Sequence, residues 1–223
     1  MSVRQWARLT WQAADPAKLA ANLGRRLGTA IEPGPPEAGT FVLDLGMATV
    51  EIVGWQREAA TDDPLPGGRL VFEPLPGGVA TPRIEALPDL LLAGVGWATV
   101  ELDRAESELA DWLAGQPGDP EDDVTDAHLG ARARVRDADG LPGDTMVLLE
   151  PTTEGRLAAS LVRDGEGPCA LYLWAPLGID AWIAGAKERG ETVSARAAGP
   201  FGESVLLPGP SAAGPHLVVV ERL

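Results

Sequence analysis

Positive charge is scarce in this 223-residue chain: Lys18 and Lys187 are its only lysines, and 18 Lys+Arg face 33 Asp+Glu, for a formal net charge of −15. Nucleic acid and anionic lipid both need a positive footprint, so neither is expected as a partner. One cysteine, Cys169, excludes an internal disulfide and gives no metal-cluster spacing. Histidine is limited to His128 and His216, and tyrosine to Tyr172. No apolar run approaches the roughly 20 residues that cross a bilayer. The opening "MSVRQWARLTWQ" carries charge where a signal peptide has an apolar core, so a cytoplasmic location is expected. The chain also has no GxSxG elbow, P-loop or GxGxxG fingerprint. With 45% hydrophobic residues it still holds enough apolar surface for a substantial core.

A strand running into a capped helix occurs three times. "ARLTWQA" (7–13) leads to "DPAKLAANLGRRLG" (15–28), where Asp15 fits the N-cap, Pro16 the first helical position and Gly28 the stop. "GWATVEL" (96–102) leads to "DRAESELADWLAG" (103–115), with Asp103 and Glu106 at capping-box spacing and Leu109, Trp112 and Leu113 as its buried face. "CALYLW" (169–174) leads to "GIDAWIAGAKERG" (178–190), with Ile179, Trp182, Ile183 and Ala186 facing inward.

Strand-like runs follow each helix. They are "TFVLDL", "ATVEIVGW" and "GRLVFEPL", then "HLGARARVR" and "DTMVLLEP", then "ETVSARA", "ESVLLPG" and "HLVVVERL". "TTEGRLAASLVRDG" (152–165) reads as a short connecting helix capped by Thr153. The stretches 62–68 and 73–82 read as proline- and glycine-rich loops, and the acidic run 117–127 as a solvated loop that lacks calcium-loop spacing. The repeated unit is a strand, a helix and three more strands.

Over 95–223, "GWATVELD", "VLLEP", "GRLAASLVRDGEGPCALYLW" and "GPFGESVLLPGPSAAGPHLVVVE" follow in the order of one paired domain. This order resembles the vicinal oxygen chelate superfamily of glyoxalases, extradiol dioxygenases, epimerases and bleomycin-resistance proteins. The resemblance implies an α+β fold of repeated βαβββ modules, paired into a curved sheet around a cavity with helices outside. It divides the chain into a single module over 1–75, a linker over 76–94 and a paired domain over 95–223, with modules near 95–151 and 168–223. An unpaired first module would leave an apolar sheet face to cover, so a homodimer is expected.

Metal-dependent members of the superfamily draw ligands from the first and last strands of each module. The matching positions here are Trp97, Val147, Ala170 and Val218, none of which can bind a cation. The resemblance thus implies a site without a metal, and no cofactor is expected. Strand alternation turns Trp97, Thr99 and Glu101 toward the cavity, with Ala170, Tyr172 and Trp174, while Ala98, Val100, Leu102, Leu171 and Leu173 face the other way. Such aromatic walls suit a flat or apolar ligand, or else they plug the cavity.

Other residues carry two readings each. His216 either reaches the cavity rim as an acid or base, or ends its strand in solvent. His128 reads as a surface residue, and Cys169 as a buried structural thiol. Glu51 and Glu101 are general-base candidates if buried among apolar groups, and otherwise exposed or paired strand residues. Arg132, Arg134 and Arg136 share a face of "RARVR", as an anion-binding row or as the charges of a protected edge.

The expected ligand-binding set is Trp97, Thr99, Glu101, Tyr172, Trp174, Arg132, Arg134 and His216, with no catalytic residue. The expected function is metal-free binding of a small apolar or aromatic molecule. Two alternatives stay open. One is a lyase, isomerase or dioxygenase of the same superfamily using Glu51, Glu101, Glu150 or His216. The other is a structural subunit with a filled cavity.

Overall fold

The first helix starts where its capping residues dictate. In a computed structural model, which describes residues 7–34, 39–46, 48–54, 69–74, 89–114, 119–138, 141–208 and 214–221, β1 (Ala7–Ala13) runs into α1 (Pro16–Leu27). The Asp15 carboxylate accepts from the Lys18 N–H at 2.9 Å, and Gly28 ends the helix in the left-handed conformation. The loop expected at 62–68, and the part of 73–82 beyond Pro74, lie outside the described residues.

Then come β2 (Ile31–Pro33), β3 (Phe41–Asp44), β4 (Thr49–Gly54) and β5 (Arg69–Pro74), in a sheet ordered β2-β3-β4-β1-β5. The βαβββ unit therefore closes with β4, and "GRLVFEPL" supplies a fifth strand outside it. The strand missing from the sequence reading is β2, which is too short to alternate and ends in a proline at the sheet edge.

The second sheet begins with β6 (Leu91–Ala98), which starts inside the stretch 76–94 expected as a linker. There follow α2 (Leu102–Glu108), β7 (Val124–Asp126), β8 (Ala131–Asp137), β9 (Thr145–Pro151) and α3 (Arg156–Asp164). The last module comprises β10 (Gly167–Trp174), α4 (Ile179–Glu188), β11 (Ala197–Gly199), β12 (Gly202–Leu207) and β13 (His216–Val220). The order is β7-β8-β9-β6-β10-β13-β12-β11, two four-stranded modules joined antiparallel at β6 and β10. Within each, the first strand lies parallel to the last. Repeated βαβββ modules sharing a curved sheet are thus the observed fold.

That sheet curls until its two edges touch. The Ala127 N–H donates to the Ala198 carbonyl at 3.1 Å, and His128 Nε2 lies 3.0 Å from the Ser204 carbonyl oxygen. A ring of eight strands encloses a space that side chains can just fill.

One apolar core joins the two sheets. Leu9, Trp11 and Ile52 of the first sheet pack with Leu23 and Leu27 of α1, Ile179 and Trp182 of α4, and Leu171, Leu173 and Leu217 on the outside of the barrel. Hydrogen bonds also tie α1 to α4 and to the segment that follows it. Trp182 Nε1–H donates to the Leu27 carbonyl at 3.4 Å, and Arg26 Nε to Glu191 at 3.0 Å. The apolar face of the first sheet is covered within the chain. No helix among the described residues is long and apolar enough to cross a membrane.

Two helix starts depart from expectation. α2 ends at Glu108, and its N-cap Glu101 makes no side-chain capping bond. Asp103 and Glu106 turn instead to the buried Arg134, whose Nη1 donates to both at 2.8 Å while its Nε donates to Asp123 at 2.7 Å. Thr153 does not cap α3, where Gly155 holds the N-cap position. Arg136 pairs with Glu106 at 3.1 Å and Arg132 with Glu150 at 2.9 Å. The arginine row is therefore an ion-pair layer that ties β8 to α2 and β9, not an open anion site, and β7 pairs with β8 over Ala131–Ala133.

Removing a buried cation from three carboxylates is expected to be far more harmful than removing an exposed one. Arg134→Ala should lower unfolding free energy by about 3–5 kcal/mol, and Arg132→Ala by less than about 1 kcal/mol. Urea denaturation of both variants checks this, and equal losses would disprove the burial argument.

Candidate functional site

The inner face of β6 is almost bare. A Cβ on Gly96 would stand 2.9 Å from Ala170 Cβ and from Leu149 Cδ1, and one on Gly94 would stand 3.0 Å from Phe201 Cζ. Glycine is required there because the barrel has no room for a methyl group. Val147, Leu149, Ala170, Tyr172, Leu206 and Val218 fill the interior as a single buried cluster. The Tyr172 hydroxyl donates to Asp126 Oδ2 at 2.6 Å, and Asp126 Oδ1 accepts from the N–H groups of His128 and Leu129 at 3.0 Å each. Burial, with the Asp126 charge beside it, pushes the Tyr172 phenol well above its usual range. Three of the positions matched to metal ligands, Val147, Ala170 and Val218, meet in this interior. Their aliphatic side chains do not fit a cation.

The fourth position, Trp97, is elsewhere, because the facing of the first strand is inverted relative to expectation. β6 ends at Ala98, which joins the interior cluster, so Thr99 and Glu101 lie beyond the strand. Gly94, read as the end of a linker, is a strand residue like Gly96, and both mark a close approach; the strand read over 96–102 runs instead over Leu91–Ala98, which displaced the register. Trp97 packs outside the barrel against Phe72, with ring centroids 6.2 Å apart and planes 7° from parallel. Val100 and Glu101 are exposed, whereas Thr99 is buried. On β10, Ala170 and Tyr172 face the interior with Trp174 packed against it, while Leu171 and Leu173 face the outer core.

Trp97 does line a cleft, one of about 240 Å³ outside the barrel. One wall is Arg69–Phe72, consecutive residues that meet it edge-on because β5 is the outermost strand of its sheet. The rest of the lining is Ser160 of α3, the turn Asp164–Glu166 and the start of β10, Gly167–Cys169. Glu166, at the tip of that turn, is fixed from behind. Its Oε1 accepts from Thr99 Oγ1 at 2.8 Å, from the Val100 N–H at 2.7 Å and from Arg104. The Arg104 bond first, then the Val100 N–H, hold its carboxyl down at about 2. Asp164 accepts from Arg163 Nε at 2.9 Å and Nη2 at 2.6 Å. Burial raises the Cys169 thiol, so it stays protonated and unreactive.

Ser160 Oγ lies 3.1 Å from His216 Nε2. Burial, and then the nearby Arg156 and Arg163, lower the His216 imidazolium to about 4 against an opposing pull from Asp164. His216 is therefore a neutral hydrogen-bonding partner of α3, and not a strand end in solvent. His128 is likewise half-buried at the sheet seam and not on the surface. Glu51 pairs with Arg8 at 3.1 Å, and Glu150 accepts from the Leu102 N–H at 3.0 Å as well as from Arg132.

Of the expected set, only Trp97 lines this cleft; Thr99 supports it from behind, and Ser160 links it to His216. Phe72, Ser160, Asp164 and Glu166 were missed by sequence reasoning. The one available signal was the glycine-flanked acid in "DGEG".

No family model and no curated protein matches the chain. Solved structures do. Methylmalonyl-CoA epimerase from Mycobacterium tuberculosis is similar at 20% identity and a TM-score of 0.49, over 59% of this chain and 87% of the epimerase. A hypothetical protein from Bacillus halodurans C-125 is similar at 20% identity and a TM-score of 0.45, over 60% of this chain and 95% of its own. A variant methylmalonyl-CoA epimerase from Streptomyces coelicolor, in complex with 2-nitronate-propionyl-CoA, is similar at 19% identity and a TM-score of 0.44, over 57% and 92%.

The buried hydrogen bonds give two expected outcomes. Tyr172→Phe, which leaves Asp126 with one donor fewer, should cost about 1–3 kcal/mol in urea denaturation. His216 stays neutral in the fold down to about 4, whereas an unfolded histidine takes its proton near 6.5. Its contribution is complete above the unfolded value and is lost as pH falls from there toward the folded one, on the order of 3 kcal/mol in all. Melting temperature should fall between about pH 6.5 and 5, above the carboxylate range. His216→Gln should flatten that slope; an unchanged slope in the variant would assign it to other groups.

Proposed function

We propose that this is a metal-free small-molecule-binding protein whose ligand sits in the cleft beside Trp97, outside the filled barrel. The observation supporting the reading is the Phe72–Trp97 wall on a cleft of about 240 Å³, set against an interior with no room for a methyl at Gly96. An apolar cavity of about 150 Å³ holds benzene, so a ligand of one or two rings fits this space. The rings supply contact area, and the polar turn supplies orientation.

A second reading is an enzyme of the same fold, as the epimerases among the similar structures are. It is favoured by Ser160, a hydroxyl on the cleft wall that lies 3.1 Å from the neutral imidazole of His216 behind it. In that reading Ser160 and His216 would exchange a proton with a substrate in the same cleft.

Thermal-shift screening followed by calorimetry separates these. Ligands should bind the wild type, be lost in Trp97→Ala and be retained in Trp97→Phe. Tyr172→Phe, altered only inside the barrel, should bind as the wild type does. Binding lost in Tyr172→Phe and kept in Trp97→Ala would place the ligand in the barrel and refute the proposal. Turnover of methylmalonyl-CoA that disappears in His216→Gln would establish the enzyme reading instead.

A further inference from the structure

We infer that the cleft selects an aromatic organic cation, a ring carrying a protonated or quaternary amine; this rests on the cleft being the ligand seat. The aromatic wall alone would accept any flat ring. The same lining adds two carboxylates, Asp164 and Glu166, on the turn before Pro168, the register partner of Trp97. Three donors converge on Glu166 Oε1, while Oε2 takes none of those bonds. Asp164 and Glu166 are balanced by Arg163 and Arg104, neither of which lines the cleft. Among the described residues Arg69 is the one cation in the lining, and it has an interaction of its own. The two carboxylates thus belong to the cleft lining, and their counter-ions do not.

The field of the whole chain points the same way, since a net charge of −15 concentrates cations and repels anions. A cation over the face of an indole gains from the ring quadrupole, an attraction a neutral ring lacks. Glu166 remains ionised across the functional pH range, its carboxyl held down at about 2. Acyl phosphates and other anionic molecules are disfavoured on the same grounds.

Calorimetric titration with three one-ring probes tests the charge preference: benzyltrimethylammonium, benzyl alcohol and benzenesulfonate. The cation should bind at least about tenfold more tightly than the alcohol, and the sulfonate should not bind. Raising salt from 0.05 to about 0.5 M should weaken the cation severalfold and leave the alcohol unchanged. Glu166→Gln keeps an acceptor oxygen for Thr99 and Val100 but removes the charge, and should reduce cation affinity about fivefold or more; Asp164→Asn is the second variant, and circular dichroism melts confirm that both fold. Equal affinity for cation and alcohol, both lost in Trp97→Ala, would overturn the cation preference and leave the cleft standing. Tighter binding of the sulfonate would overturn it as well. Cation binding that survives Trp97→Ala would overturn both the preference and the cleft.

Discussion

The seam between β7 and β11 is the constraint on which the rest of the molecule depends. Two paired modules make a curved sheet with two free edges, and as long as these stay apart the concave face is open to ligands. Here the edges meet through a backbone hydrogen bond at 3.1 Å, and Asp126 lies at the junction with its carboxylate turned inward. A buried carboxylate is tolerable only when its oxygens are occupied. Tyr172 reaches it across the barrel, and the N–H groups of His128 and Leu129 complete the set. Closure fixes the interior volume at what eight strands enclose. That volume is consumed by side chains, to the point that β6 carries glycine where a neighbouring strand needs the space.

With the interior closed, polar chemistry is displaced to the outside, where its first use is to hold elements together. The ion-pair layer around Arg134 binds α2 to β8 and takes up the very residues that looked like a helix cap. Glu166 fastens the turn before β10 to the segment after β6. Ser160 and His216 fasten α3 to β13, so α3 bridges the two modules of the barrel. The Glu166 and Ser160 contacts lie at the start of β10, and both residues line the cleft.

Much of this architecture was legible in the sequence. Asp15, Pro16 and Gly28 state the limits of α1 in the chemistry of its caps, and the alternation in "CALYLW" assigns the faces of β10 correctly. Register failed at β6 because glycine carries two meanings: a loop residue, or a strand residue pressed against a neighbour. Only the side chains across the barrel tell them apart, and they are distant in sequence. The capping box at Asp103 and Glu106 failed for a related reason. A local hydrogen-bond pattern was outbid by Arg134, whose burial makes its need for carboxylates greater than the helix's need for a cap. The cleft was illegible because its walls come from β5, β6 and the turn before β10, whose adjacency no local pattern records.

The odd number of modules and the cleft have one structural origin. In the barrel, each module's first strand finds an antiparallel neighbour in the other's first strand, β6 with β10. Among the described residues the first module has no partner module, and β5 takes that place, antiparallel on β1. β5 satisfies the hydrogen bonds of β1, and among the described residues no strand pairs with its far side. Phe72 on that strand packs against Trp97, and its backbone edge faces the turn that Glu166 holds in place. A complete module at the same position would continue the sheet across this space. The cleft exists because the pairing that fills the barrel stops one strand short on the other side of the molecule.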